Sequence, residues 1–317
     1  MKHHLFPALP ALLAAAALYG QTPAAPPPDP LWVALPVENH QAAPGRWTIP
    51  LNLEEPAGVE RIDEPVRCGV PIPRGALRDL AQVRLEDAAG RERRIQLEPG
   101  ATWPDGSIKW LLLDFTIDLK AREKTAWKLS FGQGVSRTAM PSPLTATQDV
   151  ETITVDTGLL KFTAPRDGTV FIGEAWLDRN KDGRYTDDER IVAPPERGER
   201  RGLFVDLWHQ KLGASVYWAA LDPNPEEARI ESAGPNCVEL VFKGWHRDAL
   251  RHDPWSFVGR ASWRYTLRIR AYANSATLRV FHTFVNTEDP RDIRVRAIGI
   301  RLPVATGPDA RCAFGAA

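Results

Sequence analysis

Tyr265-Thr266-Leu267-Arg268-Ile269-Arg270 alternates apolar and polar residues without a break. In an extended chain successive side chains point to opposite faces, so Leu267 and Ile269 go to one side and Arg268 and Arg270 to the other. The stretch lies in the first of three such runs, 263–273, 276–286 and 294–303. Together they predict a large antiparallel sheet with one wet face, on which Arg268, Arg270, Arg279 and Arg294 are expected. Moving upstream, Ile153-Thr154-Val155-Asp156-Thr157-Gly158-Leu159-Leu160-Lys161-Phe162 opens the same unit. A β-sandwich follows from two such sets of strands.

Further upstream the same alternation recurs in shorter pieces, among them Val83-Arg84-Leu85-Glu86-Asp87 and Arg94-Ile95-Gln96-Leu97-Glu98 around a turn at Ala88-Ala89-Gly90. Then comes Thr102-Trp103-Pro104-Asp105-Gly106-Ser107-Ile108-Lys109-Trp110-Leu111-Leu112-Leu113-Asp114-Phe115, where Pro-Asp-Gly supplies a tight turn with a glycine free to take positive φ. Hairpins of this length predict a small barrel or sandwich. Helical signals are confined to single turns around 75–80 and at 225–228. Between 136 and 148 the alternation gives way to Thr, Pro, Ser and Ala, which marks a boundary. The expected organisation is all-β: a small β-barrel at 45–137, a linker at 138–148 and a larger antiparallel β-sandwich at 149–317. The chain stops shortly after a strand, which suggests a C-terminally truncated frame and an incomplete sandwich domain.

The N-terminal residues read as export machinery, since Lys2, His3 and His4 precede an apolar run from Leu5 to Tyr19. A signal peptide is expected at 1–20 and a Pro/Ala-rich leader at 21–44, which places the mature protein in the periplasm or outside the cell. With 40 Lys+Arg against 40 Asp+Glu the net charge is zero, which argues against a nucleic-acid partner. No later stretch is long and apolar enough to span a bilayer. The three cysteines, Cys68, Cys237 and Cys312, are too scattered for a zinc cage and can form at most one disulfide. A monomer is expected.

The sharpest chemical signal is Asp178-Arg179-Asn180-Lys181-Asp182-Gly183-Arg184-Tyr185-Thr186-Asp187-Asp188-Glu189. It fits a calcium loop: oxygen ligands from Asp178, Asn180 and Asp182, glycine at the sixth position, the Arg184 carbonyl at the seventh and Glu189 at the twelfth. Its flanks are unlike an EF-hand, since a strand precedes it and no long helix follows, and the expected role of the Ca2+ is structural. The ordinary alternative is a solvated Asx-rich turn.

A second group is aromatic and basic: Trp208, His209, Trp218, Trp245, His246, Arg247, His252 and Trp255. Indole faces stack on pyranose rings and Arg pairs with uronates, so Trp245, His246, Arg247 and Trp255 are candidate contacts to an acidic polysaccharide. Core packing is the competing explanation for most of these Trp, and a satisfied or surface position for each His, including His282 near Phe281 and Phe284. Trp103 and Trp110, with Asp105 and Lys109, form a possible sugar platform, although turn chemistry accounts for the same residues. No nucleophile elbow, zinc-protease helix or phosphate loop is present.

The blocks Val70-Pro71-Ile72-Pro73-Arg74-Gly75 and 102–115, with Asp156-Thr157-Gly158 and the Arg-rich strands at 263–303, resemble the exo-rhamnogalacturonan lyase-like family, polysaccharide lyase family 26. The resemblance implies a small RIFT-like barrel, a central β-sandwich and a following α/α toroid that holds the catalytic cleft. It also implies β-elimination in rhamnogalacturonan or a related acidic plant polysaccharide. Because this sequence holds only the first two parts, the resemblance assigns it no catalytic residue, and the expectation is a lyase-like protein inactive without its toroid. Two other functions compete. One is a calcium-stabilised, non-catalytic carbohydrate-binding protein; the other is a glycoside hydrolase using two carboxylates among Asp105, Asp114, Glu174 and Asp178.

Overall fold

The computed structural model describes residues 41–168, 170–196, 199–252 and 259–305. Eight strands build the first unit: β1 (Gln41–Ala43), β2 (Arg46–Glu54), β3 (Arg61–Pro71), β4 (Val83–Glu86), β5 (Glu92–Arg93), β6 (Gln96–Thr102), β7 (Ile108–Leu119) and β8 (Lys124–Gly132). They form a five-stranded sheet in the order β1-β2-β8-β4-β5 and a three-stranded sheet β3-β7-β6. One apolar core fills the space between them, with Leu51, Val70, Leu85, Leu111, Leu113, Leu129 and Phe131 fully buried. Each such side chain contributes about 1.5–3 kcal/mol by leaving water.

The hairpin linking β6 to β7 turns on the residues that predicted it. Gly106 sits at φ 79°, and the Asp105 carboxylate accepts the Ser107 amide at 3.0 Å and its hydroxyl at 2.6 Å. Ser107 in turn accepts the Gly75 amide at 2.9 Å, which ties the loop after β3 to this turn. The helical turn expected around 75–80 is displaced: a 3-10 turn spans Leu80–Gln82, capped by Asp79.

The second unit packs two sheets. β9 (Thr145–Gln148), β10 (Thr152–Asp156), β11 (Leu160–Pro165), β12 (Glu174–Leu177) and β13 (Arg190–Val192) form a five-stranded sheet in the order β13-β12-β11-β10-β9. β14 (Gly202–His209), β15 (Gly213–Trp218), β16 (Glu227–Ala233), β17 (Cys237–His252), β18 (Gly259–Tyr272), β19 (Leu278–Val285) and β20 (Ile293–Arg301) form the other. Its order is β19-β18-β17-β15-β14-β20, with β16 beside β17. Along β18 the predicted alternation is realised: Tyr265, Leu267 and Ile269 are buried and Arg264, Arg268 and Arg270 face outward. The stretch expected as linker ends in β9, and the helical turn expected at 225–228 is replaced by the start of β16, which pairs with β17.

The barrel core is separate from the two apolar clusters of the sandwich unit, and the units meet through polar contacts centred on Asn236, which is 1% exposed. Its Nδ2 donates to the carbonyls of Asp114 at 2.8 Å and Arg94 at 3.2 Å, and its Oδ1 accepts Arg94 Nε at 2.7 Å. The Gln96 side-chain oxygen accepts the amides of Asn236 and Cys237. Gly234 lies flat against Gln96, where any Cβ would collide with its side chain. Cys68 and Cys237 are both free thiols.

Candidate functional site

A cleft of about 310 Å³ opens where the two units meet. Its walls come from residues 92–97 of the barrel, 137–140 of the connection and 233–235 of the turn between β16 and β17. Three guanidinium groups face it. Arg93 stacks over the Trp127 ring at 5.3 Å and reaches Asp87 only at 3.8 Å. Arg94 donates its hydrogen bonds to neutral oxygens, Asn236 Oδ1 and the Pro141 carbonyl, and burial pushes its pKa down against the more distant pull of the Asp63 carboxylate. Arg137 donates to the Leu80 carbonyl at 3.0 Å. Among the described residues neither Arg94 nor Arg137 has a carboxylate within ion-pair distance. The one acid of the cleft, Glu92, is taken up by the amide and hydroxyl of Thr138, at 2.7 and 3.1 Å. The result is a cationic notch whose arginines are positioned from behind and keep donors for an incoming anion.

The arginines that the sequence pointed to are differently placed. On the outer face of β17–β19, Arg268 pairs with Glu231 at 2.5 Å and Arg270 with Glu239 at 2.6 Å, while Arg279 reaches Glu64 of the barrel at 3.3 Å. Arg294 stands apart on β20, at the opposite edge of the sheet. This ladder is internally neutralised. At its barrel end Arg67 bridges Glu98, Asp114 and Glu239, and burial raises the Asp114 carboxyl to about 6 against the pull of Arg67 and Arg270.

The sugar-contact group also divides. His246 is completely buried, so it cannot touch a polysaccharide. Arg247 is bound to the buried Asp222 at 2.9 Å, and Asp222 also accepts the Trp245 amide. The Trp245 ring is half-buried under Arg264. Trp255 lies outside the described residues, as does the side chain of His252. Trp103 is tied through Nε1 to the Ile72 carbonyl with Lys109 over its ring, and Trp110 lies across Gly69 with one side exposed. The four acids considered for hydrolysis each have other partners: Asp105 pairs with Arg74 and Arg78, Asp114 with Arg67, Glu174 with Arg190, and Asp178 accepts loop amides.

The loop 178–189 connects β12 to β13. Gly183 turns at φ 75° and Lys181 at φ 59°. Asp178 and Glu189 are buried, at 4% and 3% exposure, and form no ion pair among the described residues. They accept amides instead: Asp178 from Asp182 and Gly183, and Glu189 from Arg179 and Thr186. Asp182 and Asn180 remain at the exposed rim, Asn180 Oδ1 accepting the Asp182 amide at 2.9 Å. Across the described residues, no three His, Cys, Asp or Glu side chains stand at metal-binding spacing, this loop included. Ligation by the loop would therefore draw its carboxylates partly away from their amides. Nor, among the described residues, is any helix long and apolar enough to cross a membrane.

Comparison with known proteins matches this architecture twice. Residues 52–130 match the PcRGLX-like N-terminal RIFT barrel domain, and residues 144–311 match the PcRGLX-like protein central β-sandwich domain. A relative, the uncharacterized protein YetA of Bacillus subtilis (strain 168), is 24% identical over 249 residues, 78% of this chain and 26% of that protein. The chain thus spans about a quarter of the length of the curated relative it matches.

Proposed function

Since this chain belongs to the PcRGLX-like family, its RIFT barrel followed by the central β-sandwich, we propose that it is part of a secreted lyase-like protein acting on rhamnogalacturonan. Within that protein the barrel–sandwich junction holds an acidic sugar of the polysaccharide. The observation that carries this reading is the cleft at 92–97, 137–140 and 233–235, where, among the described residues, Arg94 and Arg137 have no carboxylate within ion-pair distance. A uronate carboxylate accepts two parallel N–H bonds from a guanidinium, and such charge-assisted bonds contribute roughly 1.5–3 kcal/mol each. Elimination next to a uronate also needs a base and neutralisation of the carboxylate charge. Arg94 and Arg137 fit the holding of that carboxylate, and no base is assigned to this chain.

Calorimetric titration with rhamnogalacturonan oligosaccharides tests the cleft. Arg137→Ala and Arg94→Ala are each expected to weaken binding about 10-fold or more, and carboxyl-reduced oligosaccharides should bind the wild type no better than natural ones bind the variants. Equal binding by both variants, or by the reduced sugar, would remove the cleft from the account. Incubation with the polymer separates a catalyst from a binding module, because only elimination creates the ultraviolet absorbance of an unsaturated uronate.

We further propose that the loop 178–189 takes a structural Ca2+, with Asp178, Asn180, Asp182, the Arg184 carbonyl and Glu189 as its oxygen donors. Two buried carboxylates without a cation on the described side chains support it.

A further inference from the structure

Where the core-facing sides of β17, β18 and β19 end, the apolar interior gives way to a knot of polar side chains unrelated to the cleft or the calcium loop. His246 of β17, Tyr265 of β18 and His282 of β19 meet there. The two imidazole centroids are 5.7 Å apart, and the His246 and Tyr265 ring centroids 5.3 Å. His246 Nδ1 lies 2.9 Å from the Trp263 carbonyl, which fixes the hydrogen on that nitrogen and leaves Nε2 as a bare lone pair. Among the described residues His246 Nε2, His282 Nε2, Tyr265 Oη and Ser262 Oγ are all buried without a hydrogen-bond partner. Four unsatisfied polar atoms in one neighbourhood is costly, at about 1–3 kcal/mol each. The residue that supplies the orienting carbonyl, Trp263, is itself held at φ 57°, a conformation an aromatic residue adopts only at a cost.

We propose that His246 and His282 form a two-imidazole site for a single late first-row divalent ion of the Zn2+ class. Neutral imidazole is the ligand such ions prefer, and a ligating His commonly donates its other N–H to a backbone carbonyl, as His246 does. Two imidazoles sharing one ion at about 2.0–2.1 Å place their ring centroids roughly 5–6 Å apart, which brackets the observed separation. Solvent completes the coordination, with Ser262, the cross-strand partner of His246, beside it. His282 is only half-buried, so an ion enters from that side.

The experiment uses the purified chain in millimolar Ca2+, which saturates the loop 178–189 if it binds, so that failure of either site is read independently. Titration with Zn2+ is expected to show one equivalent bound with a micromolar or lower Kd. His282→Gln, at a half-exposed position that leaves the core intact, weakens it at least tenfold. His209→Gln leaves it unchanged. Because the chain has seven histidines, a second readout assigns the ligands without a variant: paramagnetic Co2+ should broaden the ring-proton NMR signals of His246 and His282 first. A wild type that takes up no Zn2+, a His282→Gln variant as tight as wild type, or Co2+ broadening confined to other histidines would each overturn the site.

Discussion

Two buried titratable residues carry opposite pH signatures, and their variants separate them. Asp114 has its carboxyl raised to about 6 by burial, so the folded state binds its proton more tightly than the unfolded chain does. That contribution is fully present below the ordinary carboxylate range and is lost as pH rises through about 6. Asp114→Asn removes the penalty of a buried charge while Arg67 keeps Glu98 and Glu239. The variant's Tm should match wild type near pH 4 and exceed it increasingly up to pH 7; a constant difference across that range would show the carboxyl is not the titrating group. His246 runs the other way. Burial pushes it down to about 4, so its stabilising contribution is present above the normal imidazole range and lost as pH falls from there toward 4. His246→Phe should flatten the acid limb of a Tm-against-pH curve, a change of about 3 kcal/mol if the full shift is realised. The sequence singled out His246 for its neighbours Trp245 and Arg247. The apolar–polar period of β17 decides otherwise, because His246 shares the inward parity of Leu240 and Phe242.

At the scale of elements, what is local was legible and what is long-range was not. The loop 178–189 has its turn at Gly183 because the spacing of Asp178, Asn180, Asp182 and Glu189 is a property of twelve consecutive residues. The β6–β7 hairpin is set in the same way by Asp105 and Gly106. Strand order is different in kind. That β20 closes on β14, and that Arg268 and Arg270 find Glu231 and Glu239, depends on partners brought in from elsewhere in the chain. A period-2 pattern tells which side chains face out, never which opposite charge meets them. The loop makes the element-scale prediction. An ion that binds the folded state alone raises Tm by mass action, so millimolar Ca2+ should raise the wild-type Tm. Asp182→Ala, which removes a rim carboxylate and leaves the buried pair in place, should abolish that rise at little cost without calcium. A wild-type Tm indifferent to millimolar Ca2+ would leave the loop as a plain Asx turn.

The molecule as a whole depends on a junction that no single stretch of sequence announces. The cleft gathers 92–97, 137–140 and 233–235, so Arg94 and Arg137 become a pair only once the barrel and sandwich have docked. Docking in turn converges on Asn236, whose side chain and amide bond to Arg94, Asp114 and Gln96 across the joint. These groups are buried, and an unmatched buried donor or acceptor costs about 1–3 kcal/mol. Asn236→Ala removes the side-chain donor to the Asp114 carbonyl and leaves Arg94 Nε without its acceptor while the apolar cores stay untouched. Its expected effect is therefore on coupling more than on either unit: a loss of about 2–4 kcal/mol and a thermal transition that broadens or splits in two. Arg94 is aimed by Asn236 Oδ1, so the same variant should also lose affinity for acidic oligosaccharides with Arg137 still in place. Calorimetric unfolding and oligosaccharide titration on one preparation check both parts. A single sharp transition with unchanged sugar affinity would mean the units are coupled elsewhere, through Arg67–Glu239 and Arg279–Glu64, and that Arg94 needs no orienting partner.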